Sequence, residues 1–329
     1  EKKERPGVYK RYENAGGVEA AGARSGVGCA LVTGNWGALN TLVTIDQSTD
    51  ISSVIGAGSG HDAITAFMAG GMEECVVVRV GTGGTPATIT LKDTTASTAV
   101  DAVVLTALYP GNRAFTITVK ASLDDETAKE ATIYEGTKAL EKVTFAAGKT
   151  EVDGIVAAFA NSKYVKATKK APGNGTLADI TQKAFTAGTN PTATAAAYGE
   201  AANASEAEVR DMIIVDTNDA AVHTLIATHV ARVFQEGAYT MATVAEPSSV
   251  AIETRMQHAA AFNDEKIHYV LNPYIGTDGV EYEGYMLAAR IGGLICAGAA
   301  NASLTHTVIS GAAGLKETLN SGTIKKALK

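Results

Sequence analysis

A chain of 329 residues is long enough for about two domains, and its 46% hydrophobic content supplies a substantial core. Only 6% is aromatic, so Ala, Thr and Gly carry much of the packing. A formal net charge of −7 argues against a nucleic-acid binder, because holding phosphates needs a surplus of Lys and Arg.

That charge is unevenly spread: net +2 over residues 1–13, −4 over 14–85, +1 over 86–190 and −6 over 191–329, with Lys325, Lys326 and Lys329 basic again at the end. The sequence does not begin with Met, which points to a trimmed N-terminus, and no signal peptide is visible. Cys29, Cys75 and Cys296 stand far apart without a C-x-x-C pair, the pattern of buried thiols in a reducing compartment. The longest apolar run, Tyr285–Ala300, contains Arg290 and falls short of the ~20 residues that span a bilayer, so no membrane insertion is expected.

Residues 1–17 read as an extended N-terminal arm, with Pro6, Gly7, Val8 and Tyr9 ahead of a Gly16-Gly17 pair suited to a hinge. Strands are expected at Cys29–Thr33 and Leu42–Ile45 on either side of an Asn35-Trp36-Gly37 turn. A helix is expected over His61–Gly70, from Ile64, Phe67 and Met68, and a strand buried on both faces at Cys75–Val80.

The texture then changes. After Gly81–Pro86 come short alternating runs at Ala87–Leu91, Val100–Leu105, Phe115–Val119, Ala131–Tyr134, Val143–Phe145 and Tyr164–Ala167, with one helix over 152–160. Turn signals at Tyr109–Asn112 and Pro172–Gly175 punctuate them.

From about residue 195 helices and strands alternate. Helices are expected at 196–209, Ala220–Gln235 and Ser248–Ala260, the last with a Ser cap, and strands at Met212–Val215, Tyr239–Val244 and Ile267–Leu271. A glycine turn at Gly276–Gly279 and a crossover at Glu281–Glu283 lead to a helix from about Gly284. Its greasy face would hold Leu287, Ile291, Leu294 and Ile295, and Ala289, Gly293 and Ala297 would form a small-residue stripe. Gly costs ~1 kcal/mol against Ala inside a helix, so Gly292-Gly293 demands a reason, and close packing is sufficient. The expected fold is α/β (α+β): a layered sheet-and-helix body over 18–85 plus 191–329, with a β-rich domain, 86–190, inserted into it.

Signals for chemistry are weak. Gly56–Gly60 ahead of a helix resembles a phosphate-cradling loop, but His61 stands where G-x-G-x-x-G needs its last glycine, and there is no Gly-Lys-Ser/Thr. His61, His223, His229, His258, His268 and His306 show no helical zinc spacing. Asp124-Asp125-Glu126 reads as a solvated turn, and there is no nucleophile elbow. No catalytic, cofactor or metal residue is assigned. The alternatives carried forward are a phosphate- or nucleotide-binding α/β protein using Gly56–Gly60, and an adhesion module that binds through the insert.

Several segments resemble the contractile tail sheath proteins of phages, R-type bacteriocins and related particles. Arg5-Pro-Gly-Val-Tyr9 is similar to that family's opening arm, Trp36-Gly37 with Asn40–Val43 to its first strand pair, and Tyr109–Asn112 to the start of its inserted domain. Gly276–Gly279, Tyr282, Ala288-Ala289-Arg290, Gly292-Gly293 and Asn301–Thr305 are similar to its body segment. The resemblance implies a non-enzymatic subunit that forms a helical homopolymer around a tail tube protein and contracts to drive the tube through a cell envelope. Baseplate and tail terminator proteins would be further partners; no cofactor or nucleic acid is implied. Such a particle, a virion tail or phage-tail-like device, would assemble in the host bacterial cytoplasm. The resemblance also implies β-augmentation of neighbours by the arm, here Pro6, Gly7, Val8 and Tyr9, with Gly16 and Gly17 as hinge. Members of the family continue past the equivalent of Lys329 with further strands and a second arm, so a truncated chain is expected.

Overall fold

The computed structural model describes residues 26–170, 175–298, 303–304 and 307–327. The arm expected over 1–17, with Pro6 to Tyr9, Gly16 and Gly17, lies outside the described residues; so do Pro172 to Asn174, Asn301 and His306. The chain divides into two units. One holds the segment up to Gly34 with Ala38–Thr82 and Ala193–Lys329; the other holds Asn35–Gly37 with Gly83–Thr192.

The first unit is built on a six-stranded sheet. Its strands are β1 (Gly28–Val32), β2 (Leu42–Asp46), β3 (Glu74–Arg79), β11 (Met212–Val215), β12 (Met241–Ala245) and β13 (Ile267–Val270), in the order β13-β12-β11-β1-β3-β2. All pairs are parallel except β2 with β3. The runs Cys29–Val32, Cys75–Val78 and Met212–Val215 are apolar at every position because both faces of these strands are covered. Strand alternation sends Ala30, Val32, Val77 and Ile214 to one face, where they meet α1 (Ile51–Ile55), α2 (Ser59–Ala69) and α7 (Gly284–Ala297). Cys29, Leu31, Ile213 and Val215 go to the other face, against α4 (Ala195–Ala204) and α5 (Ala220–Gln235). Asp219 caps α5, accepting from the Ala221 N–H at 2.9 Å.

The expected Ser cap before residue 252 is corrected. A Pro247–Val250 turn intervenes, so α6 (Ile252–Phe262) starts at Ile252 with no side-chain cap. Ser248 instead accepts from Lys316 Nζ at 2.9 Å. After β13, a small antiparallel sheet is formed by β14 (Tyr274–Gly276), β15 (Glu281–Tyr282) and β16 (Ala312–Leu315), followed by α8 (Ser321–Ala327).

The second unit has two antiparallel sheets. One is β4 (Thr88–Asp93), β5 (Val100–Ala107) and β9 (Val165–Lys169), in that order. The other runs β10-β6-β7-β8, with β6 (Phe115–Ala121), β7 (Ala128–Glu135), β8 (Lys138–Ala146) and β10 (Ile180–Ala184). Helix α3 (Glu151–Ala158) packs with them, placing Val152 and Ile155 in one core with Ile89, Leu105, Ile117 and Ile133. Trp36, expected as part of a turn between body strands, lies in that core at 3% exposure. Its ring is edge-on to Tyr109 and Phe115 (5.0 and 5.2 Å) and stacks on Tyr164 at 5.9 Å. The Arg113 guanidinium lies 5.2 Å from the indole centroid and is held by Glu135 in a two-pronged pair at 3.0 and 2.8 Å.

The three cysteines are free and buried. Burial pushes the Cys29 thiol from 9.0 to about 11 and Cys296 to about 12, and raises Cys75 as well. A disulfide-exchange reagent at pH 8 should leave all three unreacted in the folded chain and titrate all three in denaturant. A thiol with a raised folded pKa keeps its proton longer than it does in the unfolded chain. The stability it contributes is therefore whole below pH 9.0 and is lost as pH rises toward about 11. A urea midpoint that does not fall over that window would contradict this burial.

Candidate functional site

In a parallel sheet, ligands collect outside the carboxyl ends of the strands. Here that position beside Gly56–Gly60 is filled from within. Asp216, just beyond β11, is 5% exposed and accepts hydrogen bonds from the Thr33 N–H (2.9 Å), Thr33 Oγ1 (2.6 Å), Ser59 Oγ (2.7 Å) and the Tyr198 hydroxyl (2.6 Å). Burial, and then Asp216 itself, raises the Tyr198 phenol far above its ordinary range, which keeps it a donor. A Cβ on Gly60 would lie 1.9 Å from the Thr33 carbonyl oxygen, so the loop sits directly on the end of β1. An incoming phosphate would meet the Asp216 carboxylate where helix α2 begins. The Ser59 hydroxyl at the helix start is already committed to Asp216, whose negative charge opposes an anion there.

The next site is the seat of α7. Asn218, in the loop after β11, accepts from the Tyr285 N–H at 3.1 Å and donates to Glu283 at 3.0 Å, so the helix start is capped from outside. Its buried face is Met286, Leu287, Ala288, Ala289, Gly292, Gly293 and Cys296. Of the expected greasy face, Leu287 is in the core and half-buried Ile291 and Ile295 pack against it, while Leu294, also half-buried, is not part of that packing. The two glycines serve different neighbours. A Cβ on Gly292 would meet Thr243 Oγ1 of the sheet at 2.7 Å, and one on Gly293 would lie 2.2 Å from the Phe67 carbonyl oxygen of α2. Gly70, just past α2, faces Gly293 in turn. Small residues therefore let α7 lie close to the sheet and to α2 together.

Ahead of α7, the Gly276–Gly279 turn closes the β14–β15 hairpin. Gly279 has φ +78°, and Asp278 accepts from the Val280 N–H at 3.0 Å and the Tyr282 hydroxyl at 2.6 Å. These two bonds, the Tyr282 one foremost, hold the Asp278 carboxyl below its ordinary range. Tyr282 stacks on Tyr274 at 5.0 Å. Arg290 donates to the Ser310 carbonyl and lies 5.9 Å from the Tyr274 ring centroid, seating the Gly311 bend against the body.

Of the expected assembly residues, Pro6 to Tyr9, Gly16 and Gly17 lie outside the described residues. The histidines are dispersed. His229 is bonded to Arg210 at 2.9 Å and pushed down to about 4 by burial and then by that cation; His223 and His268 are also lowered by burial. Among the described residues no cluster of three or more His, Cys, Asp or Glu has metal-binding geometry, and no helix is long and apolar enough to cross a membrane. Sequence reasoning missed Asp216, Asn218 and Glu246. The signal was present: apolar strands β11 and β12 each run straight into an acidic residue.

Residues 82–190 match the family model of the phage tail sheath protein beta-sandwich domain, and residues 191–329 that of the phage tail sheath protein central domain. Among solved structures, the chain is similar to a sheath tail protein from Desulfitobacterium hafniense: 20% identity and TM-score 0.74, with 98% of this chain matched to 70% of that one. It is also similar to a sheath tail protein from Listeria innocua, at 23% identity and TM-score 0.69, with 93% of this chain matched to 64% of that one. At these identities the likeness is one of fold. The chain thus spans about two thirds of the length of these structures. No curated protein sequence matches it.

Proposed function

The chain belongs to the phage tail sheath protein family, and from that premise we propose that it is a structural subunit that polymerises around a tail tube and contracts to drive the tube through a cell envelope. The observation that carries this is the consecutive match of two sheath domains over residues 82–329. The filled strand-end position at Asp216 supports a structural role over a phosphate-binding one. In this reading subunits repeat head to tail on a helical lattice, with baseplate and tail terminator proteins at its ends. Contraction is a rigid-body change of packing between two lattices. The tail of a virion or phage-like particle, assembled in the bacterial host, is the setting.

The location of exposed apolar side chains supports contact through the body. Of ten exposed large hydrophobics among the described residues, six lie between 275 and 324: Ile275, Val280, Leu304, Val308, Leu315 and Ile324. The proposed connectors are Pro6, Gly7, Val8 and Tyr9, adding a strand to a neighbour, with Gly16 and Gly17 as the hinge. Deleting residues 1–13 should leave a folded chain that sediments as a monomer and forms no tubes by negative-stain electron microscopy. Normal tubes from that deletion would show that the arm is not the connector.

A further inference from the structure

A second strand-end position, beyond β12 and β13, is open. A cleft of about 360 Å³ lies there, lined by Thr224 and His223 of α5, His258 and Phe262 of α6, Tyr269 of β13, and Glu246. Glu246 is 4% exposed; His258 Nδ1 lies 2.9 Å from its carboxylate, and the Tyr269 hydroxyl is its other neighbour. A carboxylate offers about four acceptor positions, and burying one without a cation is costly. The nearby Arg255 guanidinium is committed elsewhere: it donates to Glu317 at 2.7 Å, to the Val250 carbonyl at 2.9 Å and to the Leu271 carbonyl. His223, 1% exposed, has Nε2 3.0 Å from the Thr217 carbonyl. That places the proton on Nε2 and leaves Nδ1 a lone-pair acceptor, which has no partner. The Tyr269 hydroxyl makes no close hydrogen bond but lies beside the Glu246 carboxylate, which after burial raises its phenol. Phe262 and Tyr269, 6.1 Å apart, supply an aromatic wall.

An imidazole lone pair without a donor, a buried carboxylate paired with no Lys or Arg among the described residues, and an aromatic wall together describe a receptor for a cationic nitrogen on an apolar stem. We propose that this cleft receives a lysine or arginine side chain from the N-terminal segment of a second copy of the chain. That segment carries Lys2, Lys3, Arg5, Lys10 and Arg11, net +2 over 1–13, against −6 over 191–329. The occupant rests on the assembly reading above; the cation chemistry of the cleft does not.

Two measurements separate them. In the dispersed full chain, n-butylguanidinium and n-butylammonium should shift the His223 and His258 ring resonances saturably, while neutral n-butanol should not. Glu246→Gln should weaken that binding at least about tenfold. Where that variant fails to fold, Tyr269→Phe, which keeps ring and carboxylate, should still weaken it measurably. No saturable shift, or equal binding by the variants, overturns the cleft as a cation receptor. In assembled tubes the cleft should refuse the probes because it is occupied. Tubes that bind them as well as the dispersed chain does overturn the second-copy occupant and leave a free small cation as the ligand. A chain that forms no tubes overturns the assembly reading and the occupant together, while the probe result still decides the cleft.

Discussion

Replacing Gly293 with Ala should destabilise the first unit by about 3 kcal/mol, roughly 6–12 °C in Tm, although Ala is the better helix former. The intrinsic gain is ~1 kcal/mol. It is overwhelmed because the new methyl would sit 2.2 Å from the Phe67 carbonyl oxygen and 3.0 Å from the Gly70 Cα, both backbone atoms. Backbone cannot swing aside as a side chain can, so α7 must lift away from α2. Lifting it exposes Leu287, Ala289 and Cys296, which complete the core on that face. The control is Gly199→Ala within α4. There the nearest atom is a Leu225 methyl at 3.2 Å, which can shift by a few tenths of an ångström, and the propensity gain should leave stability unchanged or higher by up to ~1 kcal/mol. Chemical denaturation of both variants tests the contrast. Equal midpoints would mean that α2 and α7 do not approach this closely.

The second large effect is expected for Trp36→Ala: a loss of about 3–5 kcal/mol confined to the second unit. The indole fills the space between Tyr109, Phe115 and Tyr164, and the alanine would leave a cavity there. The Arg113 guanidinium, 3% exposed, would lose the ring it lies against while remaining fixed to Glu135. Amide hydrogen exchange should show faster exchange across β4 to β10 and unchanged protection in β1, β3 and β11. Trp36→Phe should recover part of the loss. Equal loss of protection in both units would contradict the assignment of residue 36 to the second core.

Much of the body was legible in the sequence for a simple reason. Strands buried on both faces are uninterrupted apolar runs, so Met212–Val215 and Cys75–Val78 stand out from any amphipathic segment. Helix α5 matches its expected bounds because sixteen residues give the 3.6-residue period room to repeat. Helix α1 was missed because five residues, I-S-S-V-I, show no period; it is set by Asp50, which accepts from the Ser52 N–H at 3.1 Å. Strand β10 was missed because it is an exposed edge with a bulge at Gln182, φ +47°, and so lacks alternation. The expected face of α7 is right for Leu287, Ile291 and Ile295 but misses that Ala288, Ala289, Gly292 and Gly293 go deepest, because contact distance and not hydrophobicity decides which residues face inward. The site residues Asp216 and Glu246 needed tertiary structure: Thr33 and Ser59 reach Asp216 from the far end of the chain, and Tyr198 and His258 reach their carboxylates from separate helices.

The position of β1 sets an order for synthesis. It pairs with β3 on one side and with β11 on the other, 184 residues later in the chain at the Gly28–Met212 pairing. Until residue 215 leaves the ribosome, Cys29–Val32 is an open strand edge of wholly apolar residues. Every residue of the second unit is translated during that wait, and its own sheets close within the interval. Through that interval the edge is open to pairing with another nascent chain. Overexpression should therefore deposit the chain in inclusion bodies through β1, before any question of sheath assembly arises.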